Sequence, residues 1–313
     1  MEYLLLAAGF VILISSGKYL VKGSVSIARQ FKVSKLVIGL TVVAFGTSAP
    51  ELFVSVLAAI DNHPAISVGN VVGSNIINIA LVLAITAMIF PIPIKRSSVQ
   101  YDWPAMMIAS ILFYVFILNG YLQFFEGLIF IILLCGYIIF SINHSRKYYD
   151  HLEAIEEAHF STSISILLIV LSSAGLALGS HLLIKSVVTI ARNFNIDERI
   201  ISITLIAFGT SIPELVTSAV AAYKKEMDIS IGNIIGSNIF NLLGVMGITS
   251  MIKEIEIPLM TMKFDIYWML GVALLLFFFL LPLKGGKLTR LKALILFVPY
   301  CIYVYLLFAK MQF

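Results

Sequence analysis

Apolar residues form long runs separated by short polar segments, a pattern that predicts membrane-spanning helices. Crossing a bilayer takes about 20 apolar residues in an α-helix. Ten runs meet this need, and they lie near 3–20, 35–60, 65–89, 102–119, 122–142, 162–184, 198–223, 228–252, 264–281 and 290–309. The longest polar stretch, 143–160, leaves five spans on either side.

The composition excludes a water-soluble protein. Of the 313 residues, 60% are hydrophobic and 12% are charged, and the mean hydropathy is +1.02. A soluble domain carries about 25% charged residues. Both cysteines, Cys135 and Cys301, lie in apolar runs, so neither a disulfide framework nor a thiolate metal site is indicated. The predicted fold class is therefore an all-α polytopic membrane protein.

The two halves of the chain repeat each other. With an offset of 163 residues, 38–78 aligns with 201–241 without a gap, and 22 of the 41 positions are identical. Because each half has an odd number of spans, the second half must enter the membrane from the opposite side. Such an inverted repeat is the plan of many secondary transporters. We expect a first repeat over 1–142, a cytoplasmic linker over 143–160 and a second repeat over 161–313.

Loop charges predict the orientation in the membrane, since cytoplasmic loops carry an excess of Lys and Arg. With the N-terminus outside, about 15 of these residues fall on the cytoplasmic side and 6 on the outer side. We therefore expect a multi-pass protein of the cell membrane with both termini outside.

Glu51 and Glu214 are equivalent acids near the middle of otherwise apolar spans. A charge at the bilayer centre costs about 2.5–3.5 kcal/mol on insertion scales, so each needs a compensating partner. Neither span carries a Lys or Arg near its glutamate. An external cation is the natural partner, although a protonated glutamate that joins helices by hydrogen bonds is the structural alternative.

Oxygen-bearing residues surround both glutamates in the sequence. On a continuous helix, Thr47 and Ser48 would share a face with Glu51, and the second half repeats this pattern with Thr210 and Ser211. Pro50 and Pro213 each remove a helical N–H, so the backbone carbonyls around 44–46 and 207–209 are further candidate ligands.

The following span of each half adds side-chain oxygens at helical spacing. Ser74 and Asn78 lie four residues apart, as do Ser237 and Asn241. Asn70 and Asn233 lie a turn earlier, and they could either bind a cation or brace the helices through hydrogen bonds. Carboxylate, hydroxyl, amide and carbonyl oxygens suit hard cations such as Ca²⁺ and, by the same chemistry, Na⁺.

At these residues the sequence resembles the Na⁺/Ca²⁺ exchanger branch of the cation/Ca²⁺ exchanger superfamily, in the form of a compact prokaryotic member. The Gly-Thr-Ser-x-Pro-Glu motifs at 46–51 and 209–214, each followed by Gly-Asn-x-x-Gly-Ser-Asn at 69–75 and 232–238, resemble that family's two alpha-repeats. The alpha-repeats are expected near 38–84 and 201–247.

The resemblance implies four adjacent ion sites and an exchange of about three Na⁺ for one Ca²⁺ by alternating access. Glu51, Glu214, Thr47 and Thr210 would be shared by Ca²⁺ and Na⁺. The Na⁺ sites would be completed by Ala44, Ser48, Ser74, Ala207, Ser211 and Ser237. The middle site would be lined by Asn78 and Asn241.

Because both middle-site residues are neutral, the site holds at most two fixed negative charges. Exchange of three Na⁺ for one Ca²⁺ would then move net charge across the membrane. A Ca²⁺/H⁺ antiporter of the same fold is the main alternative, and a cation channel is a third hypothesis from another class. We expect no enzymatic activity and no cofactor. We also expect no binding of nucleic acid and no obligatory protein partner.

Overall fold

The computed structural model describes residues 2–147, 160–193, 208–281 and 286–310. Its chain is helical almost throughout. The helices are α1 Glu2–Gln30, α2 Lys35–Thr47, α3 Ala49–Ile60, α4 Pro64–Ile89, α5 Ser98–Asn119, α6 Phe124–Lys147, α7 Thr162–Asn193, α8 Ile212–Tyr223, α9 Met227–Ile252, α10 Thr261–Leu280 and α11 Arg290–Lys310.

The predicted membrane spans are confirmed as far as the described residues extend. Within them, eight helices are long and apolar enough to cross a membrane, and counting the bent pair α2–α3 as one span gives nine. The part of the second half equivalent to α2 falls mostly in 194–207, outside the described residues. Residues 148–159 of the expected linker lie outside them as well.

Several helices contain π-helical turns, in which each hydrogen bond closes over one more residue than in an α-helix. Two of these segments lie at equivalent places in α4 and α9, at Asn78–Leu83 and Phe240–Met246. Two more open α5 and α10, at Ser98–Asp102 and Thr261–Asp265. The last pair is related by the same 163-residue offset as the sequence repeat.

The helices form two compact units, and each unit takes segments from both halves of the sequence. The first contains Met1–Glu51 and Cys135–Ser237, and the second contains Leu52–Leu134 and Asn238–Phe313. The unit boundaries therefore fall inside α3, α6 and α9.

In the first unit, α1 and α7 pack along their whole length. Small residues allow the close approach, because a Cβ at Gly9 would lie 3.1 Å from the carbonyl oxygen of Gly179. Near the other end of α1, Gly23 approaches the carbonyl oxygen of Ser165 in the same way. The helices are therefore antiparallel. Leu13, Leu20 and other apolar side chains form the buried core beside this contact.

The same unit contains a second close contact, between α2 and the first half of α9. A Cβ at Gly232 would lie 2.5 Å from the carbonyl oxygen of Leu36, and one at Gly236 would lie 2.5 Å from that of Leu40. Only a glycine allows the two backbones to approach this closely. The contact holds the first half of α2 beside the oxygen-bearing part of α9.

In the second unit, two short antiparallel strand pairs join the ends of the helices. Strand β1 (Ile92–Pro93) pairs with β4 (Lys287–Leu288), and β2 (Tyr121–Leu122) pairs with β3 (Ile255–Glu256). The Trp103 indole N–H also donates to the carbonyl oxygen of Ala273 at 2.8 Å, which joins α5 to α10. Across the described ranges, these two-residue strands are the regular structure that the all-α prediction did not include.

Candidate cation site

Glu214 lies in the first turn of α8, and its side chain is fully buried. Its Oε1 accepts hydrogen bonds from the Ser48 hydroxyl at 2.9 Å and from the Ser237 hydroxyl at 3.4 Å. Within the described residues, Oε2 has no hydrogen-bond partner and no Lys or Arg is bonded to the carboxyl group. The arrangement therefore leaves a membrane-buried carboxylate oxygen open to a ligand.

A break in the second span brings Ser48 to this carboxylate. Pro50 has no N–H to donate to the carbonyl four residues earlier, so a regular helix cannot continue through this point. Helix α2 ends at Thr47, Ser48 has φ −87° and ψ 7°, and α3 continues at an angle of 46°. The Ser48 N–H still donates to the Ala44 carbonyl oxygen at 2.9 Å.

The second half has the same break. Ser211 has φ −86° and ψ 2°, and Pro213 follows it in the first turn of α8. The proline leaves the Gly209 carbonyl without its helical donor. The Ser180 hydroxyl of α7 takes that place, donating to the Gly209 oxygen at 2.6 Å. In the first half, Gly17 occupies the position equivalent to Ser180 and offers no hydroxyl.

Thr47 extends the cluster around Glu214. Its hydroxyl donates to Asn233 Oδ1 at 3.0 Å and lies 3.4 Å from the Ser237 hydroxyl and 3.3 Å from the Ala44 carbonyl oxygen. The structure thus brings together four of the residues singled out in the sequence: Thr47, Ser48, Glu214 and Ser237.

Two of the asparagines brace neighbouring helices. Asn233 Nδ2 donates to the Ser218 hydroxyl at 3.0 Å, which joins α9 to α8. The equivalent bond in the first half runs from Asn70 Nδ2 to the Ser55 hydroxyl at 3.0 Å. Ser55 and Ser218 are not among the predicted site residues, although they are identical positions of the 163-residue repeat, and that identity is the signal in the sequence that could have found them.

Asn78 and Asn241 are the fully buried polar residues of two equivalent π-helical segments. Asn241 Nδ2 donates to Asn75 Oδ1 at 3.1 Å, and Asn75 Nδ2 donates to the Asn238 carbonyl oxygen at 3.3 Å. Three side-chain atoms here have no hydrogen-bond partner among the described residues. They are Oδ1 and Nδ2 of Asn78 and Oδ1 of Asn241. A buried amide without partners is costly, and the two Oδ1 atoms are also candidate cation ligands.

The other predicted ligands are buried as well. Glu51 is fully buried in the first turn of α3, and Ser74 is fully buried in α4. Thr210 and Ser211 are buried beside the break before α8. Ala207 lies outside the described residues. No group of three or more His, Cys, Asp or Glu residues capable of holding a metal occurs in the part of the chain described.

Comparison with known proteins identifies the class of molecule that carries this arrangement. The family model described as sodium/calcium exchanger protein matches residues 1–143 and 164–309. The chain belongs to the sodium/calcium exchanger family. One relative is the putative antiporter CaxA of Alkalimonas amylolytica. Its sequence is 37% identical to this one over 96% of this chain and 97% of the relative.

A second relative is the sodium/calcium exchanger MaX1 of Methanosarcina acetivorans, 30% identical over 98% of each chain. The solved structure of the sodium-calcium exchanger NCX_Mj superposes with a TM-score of 0.83 at 30% identity, covering 97% of each chain. The exchanger-family chain is therefore a multi-pass membrane cation antiporter with the ten-helix exchanger fold, and it is not an enzyme.

Proposed function

We propose that this antiporter exchanges Na⁺ for Ca²⁺ by alternating access. The observation that carries the proposal is the buried Glu214 carboxylate. It has hydroxyl partners from α9 and from the break after α2, and none of the basic residues that the structure describes is bonded to it. A buried charge needs compensation, and a cation that arrives and leaves can supply it.

The ligand atoms around Glu214 suit both ions. Ca²⁺ takes six to eight oxygen ligands, including carboxylates, carbonyls and hydroxyl-type oxygens. The Ser48 and Ser237 hydroxyls donate to the carboxylate, and each can rotate to turn a lone pair toward a bound ion. The same oxygens would therefore stabilise the charged carboxylate in the absence of an ion and coordinate the ion when it is present.

The full set of ion-binding residues is also a proposal, and it follows the family resemblance. Ca²⁺ and Na⁺ would share Glu51 and Glu214, together with Thr47 and Thr210. The additional Na⁺ ligands would be Ala44, Ser48, Ser74, Ala207, Ser211 and Ser237. The middle site would be lined by Asn78 and Asn241, whose side chains carry no formal charge.

Charge balance supports obligatory exchange. One Ca²⁺ neutralises two glutamates, whereas three Na⁺ leave one positive charge in excess. An exchange of about three Na⁺ for one Ca²⁺ is therefore electrogenic, with each charge moved worth about 2.3 kcal/mol per 100 mV. An empty site with two negative charges resists passage through the membrane interior, which suppresses leak.

The printed names of two relatives favour this ion pair, since MaX1 and NCX_Mj are both described as sodium/calcium exchangers. The excess of Lys and Arg in alternate loops favours insertion in the cell membrane with both termini outside. Both statements are part of the proposal.

The test is ⁴⁵Ca²⁺ uptake into proteoliposomes that are loaded with Na⁺, K⁺ or acidic buffer, with and without a potential set by valinomycin. We expect uptake only with internal Na⁺, and we expect the potential to change its rate. Uptake driven by a proton gradient and indifferent to Na⁺ would instead establish the Ca²⁺/H⁺ alternative. Flux without any counter-ion would indicate a channel.

Matched variants test the site itself. Glu51→Gln and Glu214→Gln each remove one buried charge while preserving shape, and we expect both to abolish Ca²⁺ uptake. Glu256→Gln makes the same chemical change at an exposed residue of β3 and should leave uptake unchanged. Full exchange in either of the buried variants would contradict the site.

A further inference from the structure

Four lysines lie together where α1 meets the turn after α8. Lys18 and Lys22 are one helical turn apart on α1, and both are exposed. Lys224 and Lys225 follow the last residue of α8. The Lys224 ammonium donates to the Lys18 carbonyl oxygen at 2.9 Å, which fixes the two segments against each other. These residues are called the four-lysine patch below.

The patch has an excess of positive charge. Partial burial and the charges of Lys22 and Lys18 lower the pKa of Lys224 to about 8. Of the two nearby acids, Glu226 is in an ion pair with Lys35 at 2.9 Å, and Asp228 lies in the first turn of α9. Lys35 and the four lysines of the patch carry five positive charges. The two acids, Glu226 and Asp228, carry two negative charges, which leaves three positive charges.

The surroundings of the patch are those of a membrane–water interface. Tyr19 and Tyr223 are 47% and 75% exposed, and the Lys22 ammonium lies 5.9 Å from the centroid of the Tyr19 ring. The preceding turns of α1 expose Val11 and Ile14, which are suited to lipid tails. Tyrosines are typical of the headgroup level, where lysines extend toward lipid phosphates.

We propose that the four-lysine patch binds the phosphate group of an anionic phospholipid, with the headgroup bridging α1 and the turn between α8 and α9. The Lys224 ammonium has three protons and uses one of them on the Lys18 carbonyl oxygen, so two stay available for a phosphate. The exposed ammonium groups of Lys22 and Lys225 supply further charge. The bound lipid adds a bridge between α1 and the turn after α8, beside the hydrogen bond from Lys224 to the Lys18 carbonyl oxygen.

The experiment measures phospholipid retention by the full chain, using native mass spectrometry after extraction from vesicles of phosphatidylglycerol and phosphatidylcholine. We expect preferential retention of phosphatidylglycerol and a higher unfolding temperature in its presence. The variant Lys22→Gln/Lys225→Gln avoids the bonded Lys224. A lysine near an anionic surface contributes about five-fold in binding, so the pair should weaken retention about 25-fold.

The control is Lys32→Gln/Lys287→Gln, which removes two exposed lysines outside the patch. It is matched in backbone, because Lys32 and Lys225 both have positive φ, at 52° and 62°. Retention should stay at the level of the unchanged protein. Equal loss in both variants, or no loss in Lys22→Gln/Lys225→Gln, would overturn the proposal. Full displacement of the lipid by inorganic phosphate would also overturn it, because the patch would then be a site for soluble anions. Unfolding temperatures in phosphatidylcholine check that both variants fold.

Discussion

The strength of the hydrogen bond from Ser48 to Glu214 depends on whether the buried carboxylate is charged, and a charged carboxylate is what a cation would bind. At 2.9 Å it is the shorter of the two hydroxyl bonds to Oε1. A hydrogen bond to a charged group contributes about 1.5–3 kcal/mol, against about 0.5–1.5 kcal/mol for a neutral pair. Because the Gln side chain in Glu214→Gln can still accept a neutral hydrogen bond from Ser48, the coupling reports the difference between the two values, and we expect about 1 kcal/mol.

A double-mutant cycle measures that coupling. The free energy of unfolding would be determined in mixed detergent micelles, at neutral pH and without Na⁺ or Ca²⁺, for Ser48→Ala, Glu214→Gln and the double variant. Ser218→Ala is the control, because its hydroxyl accepts from the neutral amide of Asn233 and does not touch the carboxylate. Its coupling to Glu214→Gln should stay below about 0.5 kcal/mol.

The result that would refute the reasoning is a coupling near zero for both serines. Glu214 would then be protonated in the empty site, and the main reason for a cation there would be lost. A coupling for Ser218 as large as that for Ser48 would mean instead that both substitutions disturb the packing of α8. Only a selective coupling to Ser48 supports a charged carboxylate.

Three further outcomes are expected. Ser180→Ala leaves the Gly209 carbonyl without its donor and should lower the free energy of unfolding by about 1–3 kcal/mol, measured in the same micelles. Gly236→Ala places a Cβ 2.5 Å from the Leu40 carbonyl oxygen and should destabilise the protein by at least about 1–3 kcal/mol, whereas Gly69→Ala meets no atom within 4 Å and should be neutral or stabilising. Lowering the pH from about 8 to about 5 should reduce ⁴⁵Ca²⁺ uptake, because protons compete with cations for the two buried glutamates; uptake that increases on acidification would contradict shared binding.

The oxygen-rich residues of the second and third spans were predictable from the sequence, but their partners were not. A continuous helix would place Ser48 beside Glu51, and Pro50 indicates that the helix breaks there. The direction of the bend depends on packing against other helices, which no local pattern contains. In the structure the bend carries the Ser48 hydroxyl to Glu214, in the other half of the sequence.

The limits of the helices were less predictable than their existence. The first apolar run ends near residue 20, yet α1 continues to Gln30. Lys18 and Lys22 interrupt the hydrophobicity without interrupting the backbone hydrogen bonds, and Val21 and Val25 remain buried. The paired strands have two residues each, which is too short for any alternating pattern to be recognised.

The π-helical turns also bear on how the two halves of the chain are related. A π turn accommodates one residue more than an α turn, so gaining it in one half alone would change the spacing between the halves. Yet Ala49 and Ile212, before the segments in α4 and α9, differ by 163 residues, and so do Ser98 and Thr261 after them. Both halves therefore carry the extra residue in register. This shared register is what the duplication of one half-length segment that already contained the wide turns would produce.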